Sequence, residues 1–506
     1  MSGSLRMPPG TYEDVLPHVP RQRRSPGRPH PDPVDELAER LGEFVAAAVH
    51  PDEIAALLES DGMSDDQIRE RYGCRNSFAL AEELFERVER SHPEPAGPVH
   101  DPWQEGLLGC LLRGVVFALP GLGYVLGAPF LAGPHDRLGL PAGTVPLLAG
   151  ALCGWTWNQG LAHRAYLWLG LGDRAAARRS LLAGAPAGAV LGSLVALAAA
   201  DSADAGAVVF AAGQSCYLGA ATVLLVMGRE RALTAALLPM AAGALVDLAH
   251  PVPGAVRAVL LLGSLAAVAL LALREVAPAV HRPGGGGWAA GLAALLPFGA
   301  YGDAGAPGVR TPAPPLAGSL PYALFGLGTG VLVLYAGLGD VLAGAHTAAA
   351  APAAVALTLS MGPAEWLLFR FRSGGLAGLR SSGTARDFRR TTALTLVRCL
   401  SGYLAALLVL GVAASALWPH APGTGGTRLA GLLLLGVVLW TGLLLQSFGA
   451  VVSAAAVCCA AALAQTAALA TGAVGPDRAA LLVHGVAATV LTGLVCGLLG
   501  RATAHR

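Results

Sequence analysis

The hydrophobic pattern of this chain changes character once, near residue 107. Before that point the apolar positions are sparse and helically spaced. Leu37, Leu41, Phe44, Val45 and Val49 recur on one face, and Pro51 opens a second short helix around Ile54, Leu57 and Leu58. Ser64-Asp65-Asp66-Gln67 reads as a capping box ahead of a helix over 68–72, and Ser77 is placed to cap a helix over 78–88. The pattern predicts a small bundle of short helices over 32–90. Residues 1–31, rich in Pro and Arg and without an apolar stretch, read as a disordered basic tail, and 91–106 as a linker.

Beyond 107 the chain is a succession of apolar runs. A membrane-spanning helix needs about 20 mostly apolar residues. Twelve such runs are present, approximately 107–127, 143–162, 180–200, 206–227, 232–249, 255–273, 317–338, 347–369, 391–415, 429–447, 450–471 and 479–499. They fall into a first bundle over 107–273 and a second over 317–500, with a short tail at 501–506. The link between them, 274–316, holds one apolar stretch over 288–300 that is too short to span and is expected to be interfacial. Six runs per half leave both halves in the same orientation, so any internal repeat is parallel. The predicted fold is therefore an all-α polytopic membrane protein. It has about 12 transmembrane helices as a 6+6 parallel pseudo-repeat, plus a small N-terminal helical cytoplasmic domain.

Composition sharpens this. Of 506 residues 54% are hydrophobic and only 13% charged, whereas soluble domains carry about 25% charged residues. A soluble enzyme, a disordered chain and a secreted disulfide scaffold are excluded. All 34 basic residues are Arg, which with the Ala and Gly richness points to a GC-rich genome such as an actinobacterium's. Under the twelve-span count, 17 Arg fall in loops or tails on the side of the N-terminus and four on the other. Positive residues favour the cytoplasmic side, so both termini are expected in the cytoplasm and the chain in the plasma membrane. Residues 32–90 carry 16 acidic residues against 6 Arg. This excess of negative charge argues against nucleic-acid binding and suits a docking domain, with a cytoplasmic glycosyltransferase as candidate partner.

No catalytic motif is present. Without Lys there is no Walker sequence, and GxSxG and HExxH are absent. The eight Cys include no CxxC pair. No catalytic residue, metal or cofactor is expected, and the chain does not read as an enzyme.

Intramembrane polar groups are costly and mark candidate sites. Arg113, Asn158, Gln159, Glu365 and Arg398 come from four spans and share one depth near the cytoplasmic end. If those spans face one another they line a cavity in which two guanidiniums suit an anionic ligand, with Glu365 modulating them. The bland alternatives stand beside this: Arg113 and Arg398 snorkel to the headgroups, Glu365 neutralises one of them, and Asn158 and Gln159 glue helices. Asp247 and Asp340, near the opposite ends of their spans, are either interfacial or candidates for ion coupling. Gln214, Gln446, Gln465 and His484 read as isolated packing groups.

Two stretches correspond between the halves. Trp155-Thr156-Trp157-Asn158-Gln159 precedes one basic loop, and Ser360-Met361-Gly362-Pro363-Ala364-Glu365-Trp366 precedes another. The latter, its basic loop and the twelve-span layout resemble Pel-type polysaccharide transporters of the multidrug/oligosaccharidyl-lipid/polysaccharide (MOP) exporter superfamily. The resemblance implies alternating access between two six-helix bundles around a central cavity, and an arginine in the first span, which Arg113 matches in kind. The expected function is export or flipping of a polysaccharide or lipid-linked saccharide. A membrane glycosyl- or acyltransferase, and a scaffold presenting residues 32–90 to a partner, are the alternatives.

Overall fold

The computed structural model describes residues 32–89, 101, 103, 106–132, 140–141, 143–200, 205–279, 314–342, 351–417, 426–472 and 474–501. The expected tail over 1–31 and the apolar stretch over 288–300 lie outside them. The described residues are helical throughout and divide into two units, one N-terminal and one running from residue 102 onward.

The N-terminal unit holds five short helices: α1 (Pro33–Arg40), α2 (Gly42–Ala47), α3 (Pro51–Ser60), α4 (Asp65–Tyr72) and α5 (Ser77–Arg87). Local chemistry sets their ends. Asp32 caps α1, and the Ser64/Gln67 capping box forms as expected at α4. Gly73 ends α4 in the left-handed region at φ 74°. The cap of α5 is Asn76 rather than Ser77: Asn76 Oδ1 accepts from Ala79 N at 2.9 Å, while the buried Ser77 hydroxyl donates to Glu59 Oε1 at 2.8 Å. The run expected as one helix breaks at Leu41 into α1 and α2, which leaves Phe44 and Val49 exposed. Val34, Leu37, Val45, Ile54, Leu58, Ile68, Leu80 and Leu84 form the core.

Arg87 closes this small unit by reaching Asp32 at 2.8 Å, Asp35 at 2.6 Å and Glu83 at 2.7 Å. Its guanidinium holds the Asp32 carboxyl below its usual value of 3.8. A depressed carboxylate contributes stability above the unfolded value and loses it as pH falls through the folded one. Arg87→Ala is therefore expected to lower the unfolding midpoint of this unit at neutral pH and to match wild type in strong acid. A difference that stays constant across the acid titration would show that Arg87 acts by packing alone.

The second unit is a helical membrane domain. Its first half comprises α6 (Leu107–Leu131), α7 (Thr144–Gly170), α8 (Arg174–Ala198), α9 (Ala205–Val226), α10 (Glu230–Ala249) and α11 (Gly254–Val276). Its second half comprises α12 (Leu320–Leu342), α13 (Ala351–Leu359), α14 (Met361–Ser381), α15 (Ala385–Leu417), α16 (Gly426–Ser447), α17 (Val451–Thr471) and α18 (Pro476–Leu499). Among the described residues, eleven helical segments are long and apolar enough to cross a membrane, the bent α13–α14 counting as one. The expected second span, α7, is not among them although it has 27 residues. Trp155 to Gln159 together with His163 and Arg164 dilute its apolar character. Protein covers it instead: α7 packs on α8, α9 and α12.

Three helix pairings recur in the two halves. The first helix of each half packs on the fifth (α6 on α10, α12 on α17). The fourth packs on the sixth (α9 on α11, α16 on α18), and the fifth on the sixth (α10 on α11, α17 on α18). Between halves the partners are exchanged, α6 lying on α13 and α14, and α12 on α7. Two equivalent seams thus join the halves. Each is a close crossing of small residues, as membrane helices without a hydrophobic driving force require. A Cβ on Gly114 would stand 2.8 Å from Gly362 N, and one on Gly362 would stand 2.8 Å from Cys110 O. At the other seam a Cβ on Gly160 would meet the Ala323 methyl at 3.4 Å.

The bend between α13 and α14 has an identifiable cause. Pro363 lacks the N–H that would bond Leu359 O, and its ring crowds that carbonyl. The helix is interrupted at Ser360, two residues before Gly362, where the α6 backbone passes closest.

Candidate functional site

Each seam carries polar side chains. At the first, Arg113 of α6 is 9% exposed and its Nη1 lies 3.0 Å from Glu365 Oε1 on α14. Its Nε lies 3.7 Å from Glu230 Oε2, at the start of α10. One guanidinium therefore joins the two halves through Glu365 and holds its own half through Glu230. Tyr166 of α7 lies within electrostatic reach of all three charges.

The second seam has corresponding positions, a looser crossing and different chemistry. Glu365 follows Gly362 by three residues, as His163 follows Gly160. Arg113 precedes Gly114 by one, as Tyr322 precedes Ala323. Where the first seam has an ion pair, the second stacks the His163 ring on Tyr322, with centroids 3.6 Å apart and planes at 17°. His163 Nδ1 meets Ser319 Oγ at 3.1 Å. Arg164 is only 6% exposed, and its Nη1 donates to Pro314 O at 3.3 Å. Among the described residues no carboxylate lies within ion-pair distance of Arg164. A buried guanidinium so placed is expensive and makes Arg164 a candidate site residue.

Of the five expected site residues, the structure brings Arg113 and Glu365 together at the first seam and places Gln159 at the second, while Asn158 lies one turn along α7 from Gly154, which faces α9. Asn158 Nδ2 donates to Gly154 O at 2.8 Å, while its Oδ1 is buried without a hydrogen bond. Gln159 packs beneath Gly326, where a Cβ would stand 2.7 Å from its Cγ. Arg398 joins neither seam. It is exposed on α15 beside the exposed Leu394 and Val397, because the helix turns Leu396 and Cys399 inward instead. That is the lipid-facing position of a snorkelling side chain. Asp247 is engaged: Arg257 Nη2 lies 2.7 Å from its Oδ1, which also accepts from Val252 N at 2.8 Å, pinning the α10–α11 turn. The side chain of Asp340 lies outside the described residues.

The sequence reading missed Glu230, His163, Arg164 and Tyr322. Arg164 was assigned to a loop because the apolar run fades at residue 162. The signal for it was the helix length, since α7 continues to Gly170.

A third polar group lies within the second half. A cavity of about 100 Å³ is lined by residues that include Tyr335, Ser415, Arg428, Gln465, Asp477 and His484. His484 and Gln465, both 2% exposed, are partners rather than isolated groups. His484 Nε2 lies 3.1 Å from Gln465 Oε1, and Nδ1 lies 3.0 Å from Gly431 O. Arg428 Nε lies 3.2 Å from Asp477 Oδ1. Among the described residues no group of three or more His, Cys, Asp or Glu side chains is arranged to hold a metal ion.

No protein-family model matches the chain, and a search of curated proteins finds no match to it.

Proposed function

We propose that this membrane protein is a transporter that exports or flips a polysaccharide or lipid-linked saccharide by alternating access, in the manner of MOP superfamily exporters, and that it is not an enzyme. The observation that carries the reading is the exchanged packing of the halves. Each presents its first helix to the other's second, across seams built from small residues and a single polar pair. Small residues let the helices at such seams slide or rock, and packed interfaces of this kind are bistable rather than continuously deformable. In this reading Arg113 and Glu365 lock one seam. Arg164 and Asn158, buried polar groups of α7, face the anionic and hydroxyl groups of the cargo. Asp340 remains the candidate for ion coupling. The Arg distribution supports a plasma-membrane location with both termini cytoplasmic. The acidic unit over 32–89 is then presented to a cytoplasmic partner, with a glycosyltransferase as the candidate.

The test is a strain of the source organism lacking the gene. Export predicts that surface polysaccharide falls, that lipid-linked saccharide accumulates on the cytoplasmic side, and that wild type restores both. Unchanged pools sink the saccharide reading. A variant without residues 32–89 separates a scaffold, which loses all function, from a transporter, which keeps part.

A further inference from the structure

Three arginines of the described membrane domain surround one carboxylate. Glu275, near the end of α11 and 8% exposed, has Arg178 Nη2 at 2.9 Å, Arg229 Nε at 2.9 Å and Arg174 Nη2 at 3.7 Å. Three guanidiniums share one counter-charge. The nearest further acid, Asp173, accepts from Ala176 N at 2.7 Å and caps α8. Glu230 is turned to Arg113. Arg231 and Arg274 add exposed positive charge at the same helix ends.

We propose that this arginine fan is a binding site for a phosphate group at the membrane surface. Four observations converge on it. Arg174 and Arg229 are both more than half exposed, at 54% and 56%, so each keeps guanidinium edge for an incoming ligand. Arg178 Nε is buried without a hydrogen-bond partner. All three arginines sit at or near helix N-termini, Arg174 and Arg178 in the first turns of α8 and Arg229 at the N-cap of α10, which begins without a side-chain cap. Helix N-termini favour anions, and the planar guanidinium fork matches phosphate oxygens two at a time. Glu275 makes this a built site rather than scattered surface charge. It holds three long side chains in place before any ligand arrives, which removes the ordering cost that weakens most surface arginine contacts. The fan lies where helices leave the apolar layer, the level at which lipid phosphates sit. Phosphate from a lipid headgroup and free phosphate carry the same chemistry. The backbone that carries Arg229 continues directly into Glu230, so the fan and the first seam share one stretch of chain.

The full-length protein in phosphatidylcholine nanodiscs tests this, with the thermal unfolding midpoint as the readout. One arm adds phosphatidic acid to the bilayer and another adds inorganic phosphate to the buffer. Wild type and Arg231→Ala are expected to gain about 3–5 °C from at least one probe. The Arg174→Ala/Arg229→Ala variant is expected to gain nothing. Arg174→Gln, which disturbs only the longest contact, should lose most of the gain while folding normally. A gain from phosphatidic acid alone assigns the site to a headgroup, and a gain from inorganic phosphate assigns it to the free ion. The proposal is overturned if neither probe shifts wild type, if the double variant keeps the shift, or if Arg231→Ala loses as much as the double variant, which would mean diffuse charge.

Discussion

Replacing Arg113 with alanine is expected to separate the two halves energetically at the first seam. Glu365 and Glu230 then face a space from which their shared cation has gone. Breaking a buried pair from one side costs about 3–5 kcal/mol when the remaining charge is sealed in. Here the carboxylates are 24% and 33% exposed, so solvent recovers part and about 2 kcal/mol is expected. That is roughly a thirtyfold change in any equilibrium in which this seam opens. Glu365→Gln is expected to be milder, because Arg113 keeps Glu230. The exchange Arg113→Glu/Glu365→Arg restores the contact between halves and sets Glu230 against a like charge. It should recover part of what either single reversal loses. The measurement is the unfolding midpoint in detergent alongside complementation of the deletion strain. A double exchange no better than its single reversals would show that the two side chains do not act as a pair.

The second large effect is steric. Gly362→Ala adds a methyl whose carbon would stand 2.8 Å from Cys110 O and 3.1 Å from Leu111 Cα, both backbone atoms. No rotamer change relieves a clash with backbone, so α6 and α14 must move apart. Overpacking of a tight contact costs about 1–3 kcal/mol and more where nothing yields, and the upper end is expected. Gly114→Ala should behave alike, its carbon 2.8 Å from Gly362 N. Gly121→Ala, on the same α6 with nothing within 4 Å, is expected to be neutral or to gain up to about 1 kcal/mol from helix propensity. Monodispersity and unfolding midpoint of the three variants decide this. A Gly362→Ala protein as stable as Gly121→Ala would show that the crossing is looser than its geometry.

The long helices were legible because lipid demands a continuous apolar length, which composition alone reveals. The break of α1 from α2 at Leu41 and the Asn76 cap were not. A run of helically spaced apolar residues does not say where the backbone turns, and adjacent Asn and Ser both make good caps. At the seams, spacing placed Arg113 and Glu365 at one depth, and the structure brings them together. Depth says nothing of azimuth, however. Arg398 shares the depth and faces outward, since a few residues of helix rotation decide the direction. Arg164 was hidden for the opposite reason: protein, not lipid, covers α7, so its polar residues carry no apolar signature.

The two seams occupy equivalent places, yet one is fastened by charge and the other by stacked rings. Dissolved salt weakens the attraction between partly hydrated charges and leaves an aromatic stack nearly untouched. A molecule built from duplicate halves with duplicate fastenings would have no preference for which side to release first. This one has dissimilar fastenings, and ionic strength acts more on the partly exposed carboxylates of the first than on the stacked rings of the second. The difference gives the experimenter a means of loosening one seam at a time.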